Sequence, residues 1–187
     1  MQIIKKIIML AVLFAGIGIG YFAWRGQQDS SGLQIKNFNY DKDAAVVDQL
    51  FHKGDNLYWM LCNQSHATGY SIDFMLRNQT SCQYAKKHDL ILKTATIDGK
   101  IVGFLAYYPE SIHVWRLLFL MVDQDYRRQG IAKKLLNFVV SDMFARGALQ
   151  IILATRNNNF KAQKLYENFG FSLVDSDYQF VHFSLRK

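Results

Sequence analysis

VDQDYRRQGIAKKLL, residues 122–136, decides how the rest of the chain is read. It starts at the end of an apolar run, crosses a polar turn, and continues into residues whose apolar members recur at helical spacing. A strand that feeds a helix near Gly130 leaves the first helical N–H groups without partners. The helix dipole favours negative charge at that same end. Arg127, Arg128, Lys133 and Lys134 crowd this end with cations, each of which opposes the dipole by a few tenths of a kcal/mol. A bound anion, with charge-assisted bonds of about 1.5–3 kcal/mol each, reverses that balance. Gly130 and the small Ala132 let it approach the backbone. The turn therefore reads as a phosphate site. It is not a Walker loop, because Gly-x-x-x-x-Gly-Lys is absent. One basic cluster without an aromatic stacking platform does not read as a nucleic-acid surface either.

Working outward, the helix runs to about Ala145 and is closed by Gly147, with Ile131, Leu135, Leu136, Phe138, Val139, Met143 and Phe144 on a wide apolar face. Before it, His113–Val122 reads as a buried strand. Leu90–Ile97 and Lys100–Tyr108 are β-rich runs joined by Asp98-Gly99, a dipeptide that supplies the positive φ angles of a tight hairpin. Leu33–Phe38 and Asp41–His52 read as a first strand and helix. Residues 56–87 are aromatic-rich and helical in pieces. After the central helix, Leu149–Thr155 reads as a strand and Asn159–Phe169 as a helix stopped by Gly170. Phe171–Val174 and Tyr178–Leu185 close the chain as strands. The order is α+β: an antiparallel hairpin, then strand, helix, strand, helix, strand.

Two segments carry a family resemblance. VDQDYRRQGIAKKLL together with NNNFKAQKLYENFGF (157–171) resembles the GNAT superfamily of acetyl-CoA-dependent N-acyltransferases. The first matches that family's pyrophosphate motif at Arg127, Gly130 and Ala132. The second matches at Asn159, Ala162, Leu165, Tyr166, Gly170 and Phe171. The resemblance implies a mixed, mostly antiparallel sheet flanked by helices, with acetyl-CoA as acyl donor and a primary amine as acceptor. It implies that the backbone of Arg128, Gln129, Gly130, Ile131, Ala132 and Lys133 holds the CoA pyrophosphate. The strand at Leu120, Met121 and Val122 would pair with the pantetheine arm, and the Leu120 amide would polarise the thioester carbonyl. Asn159 would contact the cofactor, and Tyr166 would protonate the leaving thiolate.

The acceptor end departs from the pattern. Arg116 stands at the family's usual glutamate position, and Ala154 where ribosomal-protein-alanine acetyltransferases carry theirs. Glu110, His113 or an ordered water remain as bases. The missing glutamates keep a second class open: a non-catalytic acyl-CoA sensor or partner-binding module with the same fold.

Composition sets the outer limits. The chain has 187 residues, a net charge of +7 and half its residues hydrophobic, a globular composition with one proline. Cys62, Cys82 and five scattered histidines lack zinc-ligand spacing, so no metal site is expected. Ile7–Trp24 is free of charge for 18 residues, which as a helix spans about 27 Å. It reads as a transmembrane anchor, or else as a signal peptide. The division expected is thus 1–24 anchor, 25–32 linker and 33–187 N-acetyltransferase domain. A single-pass membrane protein with its catalytic domain facing the cytoplasm follows, since acyl-CoA is expected there.

Overall fold

The computed structural model describes residues 32–60, 71–73 and 90–187. Its elements in chain order are β1 (Gln34–Asn37), α1 (Tyr40–His52), α2 (Asn56–Met60), β2 (Ile91–Ile97), β3 (Lys100–Pro109), β4 (Val114–Val122), α3 (Ile131–Ala145), β5 (Gln150–Arg156), α4 (Phe160–Phe169), β6 (Ser172–Ser176) and β7 (Phe180–Arg186). The strands make one seven-stranded sheet in the order β1-β2-β3-β4-β5-β7-β6. Asp98 and Gly99 have φ of 49° and 77°, so the expected hairpin turn joins β2 to β3. Gly170 ends α4 at φ 110°, as a left-handed C-cap does.

Two apolar layers sandwich the sheet. On one face α3 and α4 pack Ile131, Leu135, Leu136, Val139, Met143 and Tyr166 against Leu105, Tyr107, Leu117, Leu153 and Phe183. On the other, Val47, Leu50 and Phe51 of α1 cover Phe104, Ala106, Phe119 and Met121. Each side chain fully withdrawn from water contributes about 1.5–3 kcal/mol.

Two irregularities of β4 matter for function. Ala106 pairs with Phe119 but Tyr107 pairs with Leu117, so Leu118 is an extra residue, a β-bulge. It reverses the alternation: Leu117 lies on the α3 face and Phe119 on the α1 face. Secondly, β4 and β5 run parallel and pair only at Val114–Gln150, Trp115–Ile151 and Arg116–Ile152. Beyond Arg116 the two strands part, and a slot opens between them.

One expectation is corrected here. The chain was placed as a single-pass membrane protein with one transmembrane helix. Among the described residues no helix is long and apolar enough to cross a membrane, and that placement is withdrawn. The run Ile7–Trp24 on which it rested lies outside the described residues, as do Cys62 and Cys82 and most of 61–89. Residues 32–187 form a compact unit.

Candidate active site

The polar turn after β4 is braced from below. Lys53, just past α1, donates to Asp123 at 2.6 Å and to Asp125 at 2.7 Å. These bonds hold the Lys53 ammonium above its usual pKa. Asp123 is 5% exposed. Burial alone would raise its carboxyl pKa, but the Lys53 bond and the Asp125 amide outweigh it and keep it below the usual range. Arg127 also works inward. Its Nε donates to the Val122 carbonyl at 3.0 Å and an Nη to Asn56 Oδ1 at 2.9 Å. Asn56, itself 4% exposed, donates onward to the Leu50 carbonyl at 2.7 Å. The sequence reading gave Arg127 to the anion; the structure commits these two donors to tying the turn to β4 and α2.

Past Arg127 the backbone turns left-handed at Arg128 (φ 69°) and again at Gly130 (φ 75°). Such reversals aim successive N–H groups into a concavity suited to an anion. Gly130 caps α3 and has no side chain to offer its amides. The N–H groups of Ile131, Ala132 and Lys133 find no acceptor among the described residues.

The edge of β4 is open as well. The Asp123 amide donates to Val102 of β3, and amide direction alternates along a strand. Counting back, Met121 faces β3 while Leu120 and Val122 face the slot. The Val122 carbonyl is occupied by Arg127, as that direction requires. Among the described residues the Leu120 N–H is unpaired at the slot, where β5 has already diverged.

Tyr166 approaches from α4. Phe171 and Phe183 hold its ring at centroid distances of 5.9 and 6.0 Å. The residue is 6% exposed, and burial pushes its phenol pKa well up. Its hydroxyl has no hydrogen-bond partner among the described residues. Asn159 caps α4 through Oδ1, which accepts from Ala162 at 3.3 Å. Its Nδ2 donors remain free among the described residues.

These features share one groove of about 620 Å³, the size of an ordinary cofactor site. Leu120, Met121, Val122, Arg127, Arg128, Gly130, Ile131, Ala132, Lys133, Asn159 and Tyr166 all line it; Gln129 does not. The sequence reading missed the opposite wall, Asp55, Asn56, Trp59 and Met60 of the α2 region, and also Asn158 and Lys161. A five-residue helix carries no periodic signal that would have found it. Glu110 and His113 sit at the far end of β4 and are not in the groove lining. Both carboxylate oxygens of Glu110 accept from Arg116, through Nε and, at 3.0 Å, Nη2. Among the described residues no cluster of three metal-ligating side chains occurs.

The sequence model of the Acetyltransferase (GNAT) family matches residues 44–171. The [ribosomal protein bS18]-alanine N-acetyltransferase of Haemophilus ducreyi is 41% identical over 129 residues, 69% of this chain and 83% of that protein. Among solved structures, a GNAT family acetyltransferase from Elizabethkingia anophelis with acetyl-CoA bound has a TM-score of 0.63 at 14% identity, covering 84% of this chain and all of that one. The ribosomal-protein-S18-alanine N-acetyltransferase from Escherichia coli has a TM-score of 0.64 at 20% identity, covering 82% and 93%. An uncapped helix N-terminus, an open strand edge and a buried phenol meet in one groove, on a sheet these structures share. The chain belongs to the GNAT family of acetyltransferases and is an N-acetyltransferase that moves acetyl from acetyl-CoA to an amine.

Proposed function

We propose that acetyl-CoA lies in this groove with its pyrophosphate on the amides of residues 128–133. The single observation that carries the reading is the convergence of Ile131, Ala132 and Lys133, whose amides find no acceptor among the described residues, with Leu120 and Tyr166 on one cavity. The pantetheine arm runs along the slot edge of β4. The Leu120 N–H donates to the thioester oxygen, a contribution of about 3–4 kcal/mol as negative charge builds there. Asn159 binds the cofactor through its Nδ2. Tyr166, kept protonated by burial, gives its proton to the departing thiolate. Residues 33–187 constitute the catalytic domain and 25–32 lead into it.

The acceptor is an α-amine, such as the N-terminus of a protein or peptide, and not a lysine side chain. At pH 7 a lysine amine of pKa about 10.4 costs about 4–5 kcal/mol to deprotonate, whereas an α-amine of pKa about 7.7–8.0 costs about 1–1.4 kcal/mol. A site with no glutamate at the family's two positions is suited to the second. The 41% identical relative named for an alanine of ribosomal protein bS18 points the same way.

Two measurements test this. Tyr166→Phe is expected to bind acetyl-CoA as wild type does by calorimetry and to release CoA about 100-fold more slowly; an unchanged rate removes Tyr166 from the chemistry. Alaninamide is expected to be acetylated at least about 100-fold faster at neutral pH than the side chain of Nα-acetyl-lysinamide. Equal rates would sink the α-amine assignment.

A further inference from the structure

The groove lining contains no imidazole, yet the attacking amine has to lose a proton. Three histidines lie among the described residues. His52 closes α1 with Nδ1 2.8 Å from the Asp48 carbonyl oxygen. His113 precedes β4, with Nδ1 3.5 Å from the Gly147 carbonyl oxygen. At about 3.3 Å per residue, it stands some 23 Å along the strand from Leu120. His182 is placed differently. It is the register partner of Ala154 on β5, and Ala154 lies two residues beyond Ile152, where β5 leaves β4. Its level on β4 is that of the bulged Leu118, two residues short of Leu120.

The face is also right for an acceptor. Leu153 and Phe183 belong to the α3 layer, so their neighbours Ala154 and His182 project to the opposite face. That is the side of α2: Arg156, two residues beyond Ala154, donates to the Tyr58 carbonyl there. Directly opposed residues of an antiparallel pair have Cβ atoms about 4.5–5.5 Å apart. The methyl of Ala154 leaves the space between His182 and the slot unfilled by any longer side chain at that position.

Asp177 steers the ring. Its Oδ1 accepts the amides of Gln179 and Phe180, both at 2.7 Å, which holds its carboxyl below the usual pKa range. Its Oδ2 lies 3.6 Å from His182 Nε2. A neutral ring with its proton on the Nε2 that faces the carboxylate has its lone pair on Nδ1, which has no partner among the described residues. Among the described residues, other charged or titratable groups on this face include Asp175 of β6, which pairs in register with His182, Arg156 of β5, Arg116 of β4 with its partners Tyr108 and Glu110, and Tyr58 of α2.

We propose that His182 Nδ1, with Asp177 fixing the ring, is the proton acceptor for the amine, directly or through one water. The ammonium gives one proton to Nδ1, and the neutral amine forms the C–N bond. The C–S bond then breaks with its electron pair on sulfur, which takes the phenol proton of Tyr166. The nitrogen's surplus proton returns to that phenolate, and His182 releases the first proton to solvent. An imidazole is the side chain most often used for such a transfer. The assignment rests on the acetyl-transfer reading of the groove, and on the α-amine reading only for its probe.

The test compares wild type with His182→Ala and His182→Gln on free CoA release, using alaninamide and hydroxylamine; the latter is largely unprotonated at neutral pH. Both variants are expected to keep wild-type thermal stabilisation by acetyl-CoA. With alaninamide they lose about 100-fold or more in kcat. With hydroxylamine the loss shrinks to a fewfold. Asp177→Asn is expected to lose about tenfold with alaninamide and little with hydroxylamine. Wild-type rates in both His182 variants, or equal losses with both nucleophiles, overturn the proposal. Wild type active on hydroxylamine but silent on alaninamide would refute the α-amine reading alone, and butylamine then takes alaninamide's place in the same comparison.

Discussion

A Cβ built on Gly103 would meet the Met121 carbonyl oxygen at 2.6 Å, whereas one built on Gly130 would meet nothing within 4 Å. The two glycines serve different ends. Gly103 lies where β3 presses on β4, so Gly103→Ala must push β4 aside, and overpacking of this kind costs about 1–3 kcal/mol. It also displaces the strand that presents Leu120, so acetyl transfer falls with stability. Gly130 is needed for its φ of 75°; Gly130→Ala costs about 1–2 kcal/mol in left-handed backbone strain, and Gly130 lines the groove. Urea unfolding and acetyl-CoA calorimetry on both variants check this pair. Gly103→Ala should lose stability and turnover together, while Gly130→Ala should lose stability and acetyl-CoA affinity together. At this scale the sequence was legible where one residue's chemistry suffices. Gly130, Tyr166 and Asn159 all line the groove. The bond from Arg127 to Asn56, 71 residues away, is a tertiary contact that no local pattern announces.

Among the elements, α2 depends most on its neighbours. Five residues are too few for a helix to persist alone, and α2 is held by side chains from elsewhere. Arg156 Nε donates to the Tyr58 carbonyl at 2.6 Å, and its guanidinium sits 4.4 Å from the Tyr58 ring centroid and 5.5 Å from that of Phe180. Asn158 adds a bond to the Tyr58 hydroxyl at 3.1 Å. Arg156→Ala is therefore expected to loosen the wall that Asn56, Trp59 and Met60 contribute to the groove. Hydrogen exchange of residues 56–60 should quicken by about 10- to 100-fold, for a loss of about 1.5–3 kcal/mol. Exchange in α3 should stay as it was. If α3 and α2 quicken alike, Arg156 supports the whole fold and not this wall. The hairpin, α3 and α4 could be read from sequence because each has a local signal: a turn dipeptide, an apolar stripe, a glycine stop. The Leu118 bulge and the parting of β4 from β5 could not. Both are set by how strands meet, and both decide which backbone groups face the cofactor.

At the scale of the molecule, the order of elements legible from Leu33 onward fixes the sheet, and the sheet fixes the site. What composition could not reveal is how many tyrosines the packing would bury. Tyr107, Tyr108 and Tyr166 all have phenol pKa values raised by burial, and for Tyr107 the bond to Asp142 adds to it. In the unfolded chain each titrates near 10.0. Below that pH both states are neutral and the stability is fully present. Above it the unfolded chain releases protons that the native state keeps, so stability falls as pH rises, by up to about 1.4 kcal/mol per pH unit for each tyrosine. Lys53, also raised, titrates in the same direction, so the wild-type slope alone does not isolate the phenols. The comparison with Tyr166→Phe does. That variant loses a hydroxyl without a partner among the described residues, which costs little at neutral pH. In urea unfolding from about pH 9 to pH 11, its stability should fall by about 1.4 kcal/mol less in all than wild type's, most of the difference appearing above about pH 10. Parallel curves would mean that the Tyr166 phenol ionises as readily in the folded protein as in the unfolded one. It would then be partly ionised in mildly alkaline solution, and its role as a thiolate acid would fade there along with its stabilising proton.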